Sequence, residues 1–204
     1  MPQISRRDLV LLLVSLGATG EPDDHVSGIT RLQKLLYLLE KEEGLTPSGD
    51  QFEFTAWKAG PYSSKLYDDL EFLENLGLLQ SEIASDASAA EAAEMAFEDP
   101  ETSPLTFEDL IASDDDEGSS GEDSADLFEE RRFSLTPEGL ERVTQRLASG
   151  DYAPIVQGIR RIKSRYSSYS LDDLLYHVYT KYPEMTVESE IKDQVLSRGR
   201  PRRA

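Results

Sequence analysis

The sequence predicts a mainly α-helical fold with a small β element, and three observations carry the prediction. Leucine and isoleucine recur at helical spacing in successive stretches of the chain. Ser or Thr precedes several of these stretches and Gly or Pro closes them, which are helix start and stop signals. Two short strand candidates, Leu78–Gln80 and Arg131–Leu135, flank a segment unlike the rest: Ser81 to Glu130 holds 18 Asp or Glu and no Lys or Arg.

The elements follow in order. Ser5 caps a first helix, with Asp8 placed as in a capping box and Leu9, Leu12, Leu13 and Leu16 on one face; Gly17 and Gly20 stop it. A polar loop is expected over Glu21–Gly28. The second helix spans Ile29–Glu43, apolar at Ile29, Leu32, Leu36 and Leu39 and closed by Gly44. Phe52, Phe54 and Trp57 alternate like a short strand that Gly60-Pro61 should break. A third helix over Ser63–Asn75 carries Leu66, Leu70, Leu73 and Leu76 and is closed by Gly77.

After the acidic segment, Thr136 caps a fourth helix with Pro137 at its first position, where a missing N–H costs nothing. Its buried face is expected to be Leu140, Val143 and Leu147. A fifth helix, about Pro154–Tyr166, should bury Ile155, Ile159, Ile162 and Tyr166 and expose Arg160, Arg161, Lys163 and Arg165. Ser170 and Asp173 start a sixth, ended by Pro183, and Thr186 is expected to cap a last one through Val187, Ile191 and Val195.

Composition sharpens the domain reading. The chain has 40 acidic and 21 basic residues, and without residues 81–130 it has 22 and 21. The acidity therefore belongs to one segment, expected to be disordered because too little surface can be buried to offset chain entropy. The parts are 1–80, a helical portion; 81–130, the acidic insert; 131–197, a strand and helices of the same domain; and 198–204, a basic tail. Salt adaptation is the alternative account of the acidity. There are no cysteines, which excludes disulfides and thiolate chemistry and suits a reducing compartment. The longest apolar run, Leu9–Val14, is too short for a membrane span, and the expected location is cytoplasmic.

Helix, helix, helix, strand, long loop, strand, helix is the order of a winged helix-turn-helix domain, here with an acidic wing insertion and C-terminal helices. The phrase Leu135-Thr-Pro-Glu-Gly139 resembles the exit from the wing. A narrower resemblance lies in residues 29–79. Arg31-Leu-Gln-Lys-Leu-Leu-Tyr-Leu-Leu39, an aromatic segment, then Gly60-Pro-Tyr-Ser63 resemble the SocA-like antitoxin group (Panacea domains) and related prokaryotic winged-helix proteins. The resemblance implies a non-enzymatic protein that binds a protein partner, commonly a toxin, with no catalytic residue and no cofactor.

Candidate partner contacts are Gly60, Pro61, Tyr62 and Ser63 in the turn and Lys65, Asp68, Asp69 and Glu71 on the third helix, with Tyr62 as anchor. The third helix is too acidic for a groove-facing DNA reader, because phosphate affinity grows with Lys and Arg. The alternative is a DNA-binding, dimeric regulator. It would use Arg160, Arg161, Lys163 and Arg165 together with Arg198 and Arg200, whose Arg-Gly-Arg-Pro setting resembles a minor-groove hook. From Arg131 onward 14 basic residues face 9 acidic ones. No metal-ligand spacing or phosphate loop is present, and His177 reads as a structural histidine rather than a general base.

Overall fold

The computed structural model describes residues 4–17, 25–84, 130–148 and 152–197. Among them the chain is mainly helical, with seven α-helices and two small antiparallel sheets. Helix α1 (Arg6–Ser15) is buried at every position from Asp8 to Ser15. A helix apolar all round belongs in the centre of a fold rather than on its surface. Ser5 caps it as expected, accepting from the Asp8 backbone N–H at 3.1 Å.

Helix α2 (Ile29–Glu43) is the second spine, buried from Leu32 through Leu39, with Gly44 in the left-handed conformation as its stop. Each fully buried Leu contributes about 1.5–3 kcal/mol relative to exposure. The loop expected before α2 contains a short strand, β1 (Val26–Ser27). The Phe-rich segment also differs from expectation. β2 (Thr55–Trp57) and β3 (Gly60–Tyr62) form a hairpin pairing Ala56 with Pro61 and Trp57 with Gly60. Gly60 and Pro61 thus begin the return strand rather than ending the structure; a two-stranded ribbon has free edges that tolerate a residue without an N–H.

Helix α3 (Ser64–Asn75) leads into β4 (Leu79–Ala84), which pairs with β5 (Glu130–Leu135) from Leu79↔Leu135 to Ala84↔Glu130. The ladder runs four residues further on the first strand than the sequence suggested, so Ser81–Ala84 and Glu130 are strand and not insert. β1 pairs with the other edge of β5, giving the order β1-β5-β4. Val26, Leu79 and Phe133 turn their side chains into the core. The expected disorder over the rest of the acidic segment, and the tail from 198, lie outside the described residues.

Helix α4 (Pro137–Ala148) is capped by Thr136, whose Oγ1 accepts from Gly139 N–H at 3.0 Å. Of its expected buried face only Val143 is buried; Leu140 is 50% and Leu147 36% exposed. Gly139 is buried instead, against the Leu78 carbonyl. α5 (Ala153–Tyr166) and α6 (Leu171–Lys181) pack on α2. Beyond them the expected helix from Thr186 is a 3₁₀ turn (Pro183–Thr186), then α7 (Lys192–Ser197). Of the expected apolar positions Ile191 and Val195 are buried, while Val187, at the break between the two turns, is 66% exposed.

Candidate functional site

Polar groups buried in the core fix the turn ahead of α3. Gln33 and Lys34 of α2 are fully buried. The Gln33 Oε1 accepts from Ser63 N–H at 2.8 Å and Lys34 Nζ donates to the Pro61 carbonyl at 3.3 Å. Ser63 Oγ donates to the Phe52 carbonyl at 2.5 Å. Gly60 adopts φ 93°, and a Cβ there would meet Tyr179 at 2.9 Å. The two stretches that carry the family resemblance are therefore bonded to each other. Gly60, Pro61 and Ser63, expected as partner contacts, are buried and act by placing the hairpin. Tyr62 is only partly covered, with its ring 6.0 Å from Trp57 and 5.7 Å from Tyr67.

On α3 the expected contacts divide. Asp68 and Glu71 are exposed. Lys65 reaches Asp50 at 2.5 Å and Glu53 at 2.7 Å, so its charge is already shared with carboxylates. Asp69 was expected on the surface and is fully buried. It accepts from Arg6 Nε at 2.6 Å, Arg6 Nη2 at 3.1 Å and Arg7 Nε at 2.9 Å. The physical reason is position: Asp69 lies between Leu66 and Leu73 on the inward stripe, where the start of α1 supplies two guanidinium groups.

Sequence reasoning missed the apolar part of this surface. Phe72 (39% exposed) and Leu76 (56%) sit one turn apart on the outer side of α3. Thr136 Oγ1 donates to the Gly77 carbonyl at 2.5 Å, bringing the start of α4, and with it exposed Leu140, to the end of α3. Both helices flank α1: Arg7 lies over the Phe72 ring at 3.6 Å, and Arg146 of α4 reaches Asp8 at 3.0 Å. Leu76, expected on the buried stripe with Leu66, Leu70 and Leu73, is exposed because it lies past the last turn of α3. Phe72 was not singled out, and the available signal was its i, i+4 spacing to Leu76.

The basic patch of α5 faces carboxylates. Arg161 Nη2 pairs with Glu43 at 2.6 Å, and Arg165 pairs with Glu42. Glu42, only 4% exposed in its side chain, also accepts from Tyr166 Oη and Lys181 Nζ at 2.7 Å each. Burial alone would raise the Glu42 carboxyl, but hydrogen bonds from Lys181, Tyr166 and His177 outweigh it and hold it below the usual range. His177 Nε2 is 2.9 Å from Tyr166 Oη, and burial pushes its imidazole down against the pull of Glu42. Lys163, expected to be exposed, is buried, because it lies four residues after Ile159 on the inward side of α5. Arg160 is exposed; Arg198 and Arg200 lie outside the described residues.

Glu40, on the same helix as Glu42, is treated differently. Its Oε1 is buried with no hydrogen-bond partner among the described residues. Burial raises its carboxyl to about 7, with nearby Lys41 pulling the other way. A carboxyl raised on folding takes up a proton that the unfolded chain releases above its ordinary value. Stability is therefore lost as pH rises from about 4.5 to about 7. Glu40→Gln is expected to stabilise the protein at pH 8 by about 1–2 kcal/mol, allowing for the half-exposed setting, and to change little at pH 4. Thermal unfolding of both chains across that range checks the sign.

Among the described residues no cluster of three or more His, Asp or Glu is arranged to hold a metal ion, and no helix is long and apolar enough to cross a membrane. No protein-family model matches the chain, and no curated protein is significantly similar to it.

Proposed function

We propose that this chain is a non-enzymatic winged-helix module of the cytoplasm that binds another protein through the outer side of α3 and the β2–β3 hairpin. One observation carries the reading: that side combines exposed carboxylates, Asp68 and Glu71, with exposed apolar groups, Phe72 and Leu76. Carboxylates repel phosphate, whereas an apolar patch rimmed by charge suits a protein surface. The order α1, β1, α2, α3, β4, β5 with a three-stranded antiparallel sheet supports the winged-helix part. The resemblance of residues 29–79 to SocA-like antitoxins extends it: the partner would be a toxin, held inactive by the complex.

The DNA-binding alternative gains less support from its patch, since Arg161 and Arg165 already face Glu43 and Glu42 and Lys163 is buried. The test is affinity capture from native cytoplasm, nuclease-treated and untreated, with the wild-type chain and with Asp68→Lys/Glu71→Lys. One stoichiometric protein, retained by the wild type and lost by the variant, is the expected result. Retention of nucleic acid without a stable protein, or a partner indifferent to the variant, overturns the proposal.

A further inference from the structure

His177 sits at the joint of α2, α5 and α6, and the hydrogen bonds around it place its proton. Glu42 is held ionised there and can only accept, so the single O–H hydrogen of Tyr166 goes to its Oε1 at 2.7 Å. The Tyr166 oxygen lies 2.9 Å from His177 Nε2 and must accept from it. His177 is therefore the neutral tautomer with its hydrogen on Nε2, and Nδ1 keeps a lone pair.

A second proton, on Nδ1, meets a joint already rich in cations. From α2 the imidazole faces Glu42, whose Oε1 is 3.5 Å from Nε2. That carboxylate already accepts from Lys181 Nζ at 2.7 Å and pairs with Arg165. From α5 the imidazole faces Tyr166 and Arg165, and from the turn before α6 the Tyr169 ring at 6.4 Å. On α6 itself Asp173 and Lys181 lie one turn to either side. An imidazolium would be the third cation on one carboxylate whose side chain is 4% exposed. Burial also opposes the charge and holds the imidazole below its ordinary value of 6.5.

The opposite face of α6 holds the β2–β3 hairpin. Tyr179 follows His177 by two residues, about 200° round the helix. Its Oη is 2.8 Å from Ser189 Oγ, and its ring closes on Gly60, where a Cβ would come within 2.9 Å. Gly60 in turn pairs with Trp57 across the hairpin. The 3₁₀ turn and α7 pack on α6 as well. A shift of α6 against α2 therefore reaches Trp57.

We propose that His177 is an acid-sensitive latch: taking up a proton loosens α6 from α2 and, through Tyr179, releases the β2–β3 hairpin. A histidine kept neutral in the joint binds its proton more readily once α6 is loose. The latched form is thus complete above the ordinary histidine value and is lost as pH falls through about 6.5. Glu40, one helical turn or less from Glu42 on α2, has the opposite sign, so the two effects separate. Where the hairpin is part of a partner-binding face, that face is present at neutral pH and lost in acid. This consequence rests on the protein-binding reading above; the latch itself does not.

Trp57 is the single tryptophan of the chain, so its emission reports on the hairpin, while the ring resonances of His177 report its proton. Both are followed on the full chain from pH 8 to pH 5, without any partner, in the parent and in His177→Gln, whose amide can still donate to Tyr166. His177 is expected to carry its hydrogen on Nε2 at pH 8 and to titrate below 6.5. Trp57 emission should change with the same midpoint, and the change should be absent from His177→Gln. Tyr166→Phe leaves Nε2 to Glu42 directly and should move both midpoints upward together. An emission change that persists in His177→Gln belongs to another group, such as Glu40, and overturns the proposal. So does a His177 that titrates without a response at Trp57, or one whose midpoint lies at or above 6.5. If His177→Gln does not fold, Tyr166→Phe decides: midpoints that part company there overturn the latch.

Discussion

Gly139→Ala is expected to destabilise the protein by about 3 kcal/mol or more, although alanine is the better helix former. Propensity alone favours alanine inside a helix by about 1 kcal/mol. Position reverses the sign. A Cβ at residue 139 would sit 1.9 Å from the Leu78 carbonyl oxygen and 2.9 Å from its carbon. Both are backbone atoms, so no side chain can rotate away. The first turn of α4 or the start of β4 must move, straining the Thr136 N–H to Leu78 carbonyl bond of 3.2 Å. Overpacking of this kind typically costs 1–3 kcal/mol and more where backbone is the obstacle. Leu140→Ala, one residue on and half exposed, should change stability by roughly 0.5 kcal/mol or less. Chemical denaturation of the two variants tests the contrast, and a Gly139→Ala chain as stable as the parent would refute the close approach.

Asp69→Ala is the second large effect. It removes a fully buried carboxylate that receives three hydrogen bonds from two arginines. Arg6, whose side chain is 10% exposed, would keep only the solvent-facing Asp50 as a carboxylate partner. Removing one member of a buried ion pair costs about 3–5 kcal/mol, largely because the other charge stays desolvated. At this chain length that lowers the melting temperature by roughly 6–20 °C. Asp68→Ala, on the neighbouring exposed position, should leave it within a degree or two of the parent. Differential scanning calorimetry separates the outcomes: equal melting temperatures for the two variants would remove the α1–α3 lock.

These two positions also mark where the sequence could be read and where it could not. α2 runs from Ile29 to Glu43 as expected, because local signals set both ends: Gly28 before it and Gly44 after it. Thr136 and Pro137 likewise fix the start of α4 from neighbouring residues alone. Asp69 was read as surface because an aspartate between leucines on a helical stripe gives no hint of its partners, which lie 62 and 63 positions earlier in the chain. Leu140 and Leu147 were read as core because periodicity identifies an apolar face without saying whether anything covers it. Val26–Ser27 is too short to show alternation, and only its pairing with Phe133 and Arg132 makes it a strand.

The candidate site was half legible for the same reason. That Tyr62, Asp68 and Glu71 reach the surface could be expected from their place around a turn and a helix. The inward roles of Gln33 and Lys34 depend on contacts across 30 and 27 positions, and Glu42 draws donors from α5 and α6 more than 120 positions away. Such partnerships are products of the packed chain and leave no periodic trace in it.

The last rung of the β4–β5 ladder, Ala84 opposite Glu130, has an evolutionary consequence. The chain leaves and re-enters the sheet at facing residues, so the gap it must bridge is one strand spacing, about 5 Å, whatever length intervenes. Doubling the length of a loop with fixed ends costs only about 0.6 kcal/mol in closure entropy. Insertions and deletions between those two residues thus change the closure cost of the sheet little. That stretch can diversify under selection for its own purposes while α1, α2 and α3 stay constrained by their partners.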